Sequence, residues 1–100
     1  MANLNRVTLI GNLTKDPEIR YIPSGAAVAS FDLAVNRSYK DKTDNWQKET
    51  MFIRINLWGK QAEHANENFS KGKEVFVEGY LRQRSWETQD GQKRSVIEVT

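Results

Sequence analysis

Residues 51–60 read MFIRINLWGK. In an extended strand, side chains alternate between two faces, so Met51, Ile53, Ile55 and Leu57 fall on one side and Phe52, Arg54, Asn56 and Trp58 on the other. The first set is a core face. The second should meet water, yet it carries two large aromatic rings interleaved with a guanidinium and an amide. Such a face is a platform on which flat, anionic partners can stack and be neutralised. A strand buried on both sides would also account for the rings, but it would leave the Arg54 guanidinium in need of a buried partner. The platform is therefore favoured.

Upstream, residues 27–36 alternate cleanly, with Phe31, Leu33 and Val35 inward and Ser30, Asp32, Ala34 and Asn36 outward. Between these two strands, residues 37–49 carry Arg37, Lys40, Asp41, Lys42, Asp44, Lys48 and Glu49 with Tyr39 and Trp46 among them. Their length and mixed charge predict a projecting hairpin arm in place of a tight turn. Residues 5–13 form a first strand, with Val7 and Leu9 on one side, Arg6 and Thr8 on the other, and Gly11 marking a bulge or bend. Residues 18–22, between turns at Pro17 and at Pro23-Ser24-Gly25, leave room for a small edge strand.

Downstream, residues 60–69 are the one credible helix, with Ala62, Glu63, Ala65 and Phe69 on a helical face, no β-branched interruption, and Gly72 expected to close it. His64 has no second histidine, cysteine or carboxylate cluster beside it and reads as a surface residue. Residues 73–87 predict one long strand, with Val75, Val77, Gly79 and Leu81 on one face and Phe76, Glu78, Tyr80, Arg82, Arg84 and Trp86 on the other. Asp90-Gly91 is a hairpin signal. The return strand, 93–100, buries Ile97 and Val99, or Val96, according to register.

Five strands with one short helix between the third and fourth is the order of an OB-fold, an all-β, five-stranded Greek-key barrel, here as a single domain over residues 1–100. A doubly wound sheet is excluded, because it would need a helix after nearly every strand. Fifteen basic against thirteen acidic residues leave a formal charge of +2, too little by itself to establish a nucleic-acid partner. The absence of cysteine removes disulfides, thiolate chemistry and cysteine-ligated zinc. No apolar run approaches a membrane span and no secretory h-region opens the chain, so a soluble protein is expected. No cofactor, metal or catalytic site is expected: Asp16 and Glu18 flank a proline turn, Glu63 and Glu67 lie one helical turn apart, and nothing brings them together.

Phe76, Glu78 and Tyr80 share a face with Trp86 but lie nearer the barrel body. A carboxylate is a poor neighbour for phosphate, so these three are assigned to a subunit contact.

The string RVTLIGNLTKDPEIRY from Arg6, the Pro23-Ser24-Gly25 turn, LWGK from Leu57 and KGKEVFVEGYLR from Lys71 together resemble the bacterial-type single-stranded DNA-binding protein family across residues 4–100. The resemblance implies an OB-fold that assembles as a homotetramer and wraps single-stranded DNA without sequence preference, in replication, recombination and repair. It places base stacking on Tyr39, Phe52, Trp58 and Trp86, of which Phe52 and Trp58 also follow from parity alone. Basic positions that match are Arg6, Lys42, Arg54, Lys60, Lys71, Arg82 and Arg84. Ser85 occupies a place that is often basic in the family. The family's flexible tail, whose acidic tip recruits replication and repair proteins, is missing, and the unfinished last strand points to a truncated DNA-binding core. Met1 without a presequence points to bacterial cytoplasm, a phage or a plasmid. Two neighbouring possibilities are a primosome-type interaction module on the same fold, which would not need all four aromatics, and a single-stranded RNA binder, since stacking does not sense the 2′-OH.

Overall fold

The two longest strands, β3 (Ala27–Lys40) and β4 (Trp46–Trp58), make one antiparallel ribbon in register from Val28↔Trp58 to Lys40↔Trp46. The chain was seen in a computed structural model that describes residues 2–100. Near the Trp58 end the ribbon is part of the sheet. Beyond Val35 and Met51 it leaves the body as the expected arm, built of paired strand almost to its tip. The remaining elements are β1 (Val7–Leu13), β2 (Glu18–Tyr21), α1 (Lys60–Asn68), β5 (Glu74–Gly79), β6 (Leu81–Glu87) and β7 (Lys93–Val99).

The parity of residues 51–58 holds where the body covers the strand. Ile55 is fully buried with Leu13, Phe31, Leu33, Val75 and Val99, and Ile53 and Leu57 pack against that cluster. Met51, expected in the core, is exposed because it stands opposite Val35 at the root of the arm. Leu81 and Ile97 are exposed on the β6–β7 ribbon for the same reason, while Val99 is buried. Alternation assigns a face to each side chain, but a second layer must then cover that face.

The hydrogen-bonded order is β5-β1-β3-β4-β7-β6, with β2 added to β3. Its two end strands are consecutive in the chain. The segment 73–87, expected as one strand, is divided at Tyr80, so that β5 pairs with β1 and β6 with β7. Tyr80 exchanges both backbone hydrogen bonds with Thr100, at 3.1 and 2.9 Å. This division and the short β2 raise the count from the five strands expected to seven. The ladder of hydrogen bonds is not closed; the chain itself joins its ends. A side chain at Gly79 has no room there, since a Cβ would run into the Thr100 carbonyl.

The helix falls where predicted, between β4 and β5. Ala62 and Ala65 are fully buried, and Ala62 packs with Ala27 and Ala29 of β3. Small residues on both sides allow that close approach. Phe69 leaves the helix to meet Phe31 edge to face at 6.0 Å. Gly72 does not cap α1. It lies in a turn where Lys73 N–H donates to Ser70 C=O, with φ of 89°, and its own N–H donates to Leu13 C=O at 2.8 Å. A positive φ at that turn position favours glycine. His64 is exposed, its ring edge-on to Phe69 at 5.8 Å.

Candidate nucleic-acid interface

Register carries the outward face of β4 across the sheet in rows. Trp58 lies opposite Val28 on β3, which lies opposite Arg20 on β2. On the other flank, β7 runs parallel to β4 with Ile55 matched to Val99. That placement brings Glu98 beside Arg54 and Asn56, and β6 adds Arg82 opposite Glu98 and Arg84 opposite Val96. The result is a cleft of about 210 Å³ lined by Arg20, Arg54, Trp58, Arg82 and Arg84, with Glu98 in its wall.

Glu98 is only 5% exposed. A carboxylate removed from water is tolerable only when paired and hydrogen-bonded. Its Oε1 accepts from Asn56 Nδ2 and from Arg84 Nε, each at 3.2 Å. Its Oε2 lies 3.6 Å from Arg54 Nε. Asn56 in turn accepts from Ser30 Oγ at 2.8 Å. Both arginines thus engage the carboxylate through Nε. Among the described residues, no protein acceptor takes their terminal amines, which remain available to a phosphate. Arg84 also lies over the Trp86 ring, 4.8 Å from its centroid.

Phe52 and Trp86 continue this face away from the cleft, and both are exposed. Tyr39 and Lys42 are on the arm. Tyr39 pairs with Gln47, which puts it on the ribbon face opposite that of Phe52, with Arg37 4.8 Å from its ring centroid and Arg37 bonded to Glu49 at 3.3 Å. Lys42 is in the tip. There Asp41 accepts from the Thr43 hydroxyl and the Thr43 and Asn45 N–H groups on one oxygen, and from Gln47 on the other. The Thr43 hydroxyl and the Asn45 N–H chiefly hold its carboxyl down to about 2.

Arg6, Lys60 and Lys71 are not brought to the cleft. Arg6 sits with Glu78 and Tyr80 on the β1–β5 side. Lys60 opens α1 and borders an apolar hollow with Phe31, Phe69 and Phe76. Lys71 lies in the turn after α1, its N–H bonded to the Asp16 carboxylate at 2.8 Å. Two residues of the cleft escaped sequence reasoning. Arg20 could have been found from the parity of residues 18–21. Glu98 depends on the β4–β7 pairing, for which no local pattern exists.

Phe76, Glu78 and Tyr80 are all exposed, and Ile10, directly opposite Phe76, is exposed as well. No loop or helix hides them. Beside them, the β3-facing edge of β1 is paired only at Asn12 and Leu13. Among the described residues no helix is long and apolar enough to cross a membrane, and no group of three or more metal-ligating side chains is assembled.

Residues 4–100 match the model of the single-strand binding protein family. The single-stranded DNA-binding protein of Mycobacterium tuberculosis is 48% identical over 99% of this chain, which spans 62% of that relative's length. The protein of the same description from Corynebacterium glutamicum is 48% identical over 93% of this chain and is spanned to 42%. The chain therefore spans about two fifths to three fifths of the length of these curated relatives. A solved Plasmodium falciparum SSB complex with single-stranded DNA superposes with a TM-score of 0.90 at 31% identity, covering 99% of this chain and 87% of that one. A deletion mutant of the Thermus aquaticus single-stranded DNA-binding protein gives a TM-score of 0.84 at 38% identity, covering 96% and 46%. The fold is the OB-fold of these structures, and with the family model matched over nearly its whole length the chain belongs to the single-strand binding protein family.

Proposed function

We propose that this chain binds single-stranded DNA without sequence preference, stacking bases on Phe52, Trp58, Trp86 and Tyr39 and neutralising phosphates with Arg20, Arg54, Arg82 and Arg84. The observation that carries this is the exposed pair of rings on one face of β4, beside a cleft with four arginines. Single strands present base faces that a duplex hides, and every base has such a face, so stacking is tolerant of sequence. The one carboxylate in the cleft is committed to two arginines, which favours binding over hydrolysis. Service in replication, recombination and repair, in the bacterial cytoplasm or from a phage or plasmid, belongs to the same proposal.

Titration of tryptophan fluorescence with poly(dT), poly(rU) and duplex DNA at several salt concentrations tests it. Strong quenching by poly(dT) alone is the expected result, with log K falling against log salt at a slope of about −0.7 per phosphate held, or roughly −2 to −3 for three or four arginines. Equal quenching by duplex would refute the proposal, and equal quenching by poly(rU) would redirect it to RNA.

Assembly into a homo-oligomer, as a tetramer, is proposed on separate grounds. Two copies of the open β1 edge can pair antiparallel about a two-fold axis. The adjoining Ile10, Phe76, Glu78 and Tyr80 supply exposed surface of the kind that oligomer contacts cover. Sedimentation of a Phe76→Ala, Tyr80→Ala protein should show a smaller assembly than the parent. An unchanged particle would remove these side chains from the interface.

A further inference from the structure

We propose that Trp46 is a third stacking position on β4, taking a base of the same single strand that Phe52 and Trp58 hold. The proposal rests on the single-stranded DNA reading above. Trp46, Phe52 and Trp58 recur at six-residue intervals on one strand. An even interval keeps side chains on one face, and each step is about 20 Å at ~3.3 Å per residue. Register confirms the face: Trp46 pairs with Lys40, Phe52 with Ala34 and Trp58 with Val28, all at even steps along one unbroken ladder.

What lies between the rings repeats as well. Arg54 and Asn56 separate Phe52 from Trp58; Lys48 and Thr50 separate Trp46 from Phe52. Each interval therefore offers a cation and a neutral hydrogen-bonding group on the aromatic face, where the backbone of a strand stacked on both rings would run. The Lys40 amine adds a second cation, 5.4 Å from the centroid of the Trp46 ring. Trp46 is 69% exposed, more than any other aromatic side chain described. Tyr39, the nearest aromatic on the arm, sits on the other face of the ribbon and cannot substitute for it within this row.

A purely structural Trp46 would clasp the end of the hairpin through Lys40 and do nothing to DNA. Single-tryptophan proteins separate the two roles. Trp58→Phe with Trp86→Phe leaves Trp46 as the only indole; Trp46→Phe with Trp86→Phe leaves Trp58. Phenylalanine keeps a stacking ring at each replaced position. Poly(dT) is expected to quench both proteins, and Trp46→Ala in the otherwise unaltered chain to weaken poly(dT) binding roughly tenfold and to reduce the nucleotides occluded per subunit, with Trp46→Phe restoring most of both. Quenching of the Trp58 protein alone, or a Trp46→Ala affinity and site size equal to the parent's, would overturn the proposal and leave the DNA-binding role standing. Quenching of neither would overturn both.

Discussion

Replacing Phe52 and Trp58 together by alanine is expected to weaken poly(dT) binding by about 30-fold to 20,000-fold, because each lost base stack is worth about 1 to 3 kcal/mol. Both rings are exposed, Phe52 at 66% and Trp58 at 45%, so truncation takes little from the core. The melting temperature should move by no more than a few degrees. The rings stand about 20 Å apart along β4, beyond the range at which neighbours usually couple, so the two single losses should sum. The salt slope offers a sharper check. Neither ring holds a phosphate, and the slope should stay that of the parent while the whole line drops. Arg82→Ala should do the reverse, flattening the slope, with the loss greatest at low salt and shrinking as salt rises. A double alanine protein that keeps the parent's fold and binds within threefold of it would disprove the stacking role.

Gly79→Ala should be a severely damaging small substitution, at about 3 kcal/mol or more. For a domain of this size that corresponds to a fall in Tm on the order of 12 to 24 °C. The obstacle is steric. The new methyl would be driven into the carbonyl of Thr100 and to within 3.1 Å of Val99 Cγ1. Neither can swing away cheaply, because Thr100 is tied to Tyr80 through both backbone bonds and Val99 is fully buried. Gly25→Ala is the fitting comparison. Its Cβ meets nothing within 4 Å, but φ is 89°, so only backbone strain of roughly 1 kcal/mol is at stake. Denaturant unfolding of the two proteins should rank them in that order. A Gly79→Ala loss below that of Gly25→Ala would mean that the end of β7 gives way.

How much of this was legible in the sequence follows from what each feature depends on. Phe52 and Trp58 were readable because alternation is a local property and their strand is covered on its other side. Met51, Leu81 and Ile97 obey the same alternation, yet they stand where no layer covers them. The division of residues 73–87 was hidden because alternation runs undisturbed through Gly79 and Tyr80 while the hydrogen-bonding partner changes from β1 to β7. Tyr39 was identified through resemblance, which names a position without its face; only the Tyr39↔Gln47 register puts it behind the ring row of β4. Arg6, Lys60 and Lys71 came the same way and are scattered over three other parts of the surface. Glu98 was out of reach altogether. Its role is created by Asn56, 42 residues earlier in the chain, and by a parallel strand contact that neither segment announces.

That buried carboxylate also bears on how the proposed complex comes apart. Arg54 and Arg84 stand 3.6 and 3.2 Å from Glu98, so an arginine that loses a phosphate already has an anion at hand. Glu98 holds each guanidinium through its Nε while the terminal amines face the cleft, so departure of a nucleotide leaves both arginines still paired with an anion. In the proposed complex, release of a phosphate at this cleft therefore leaves neither Arg54 nor Arg84 unpaired.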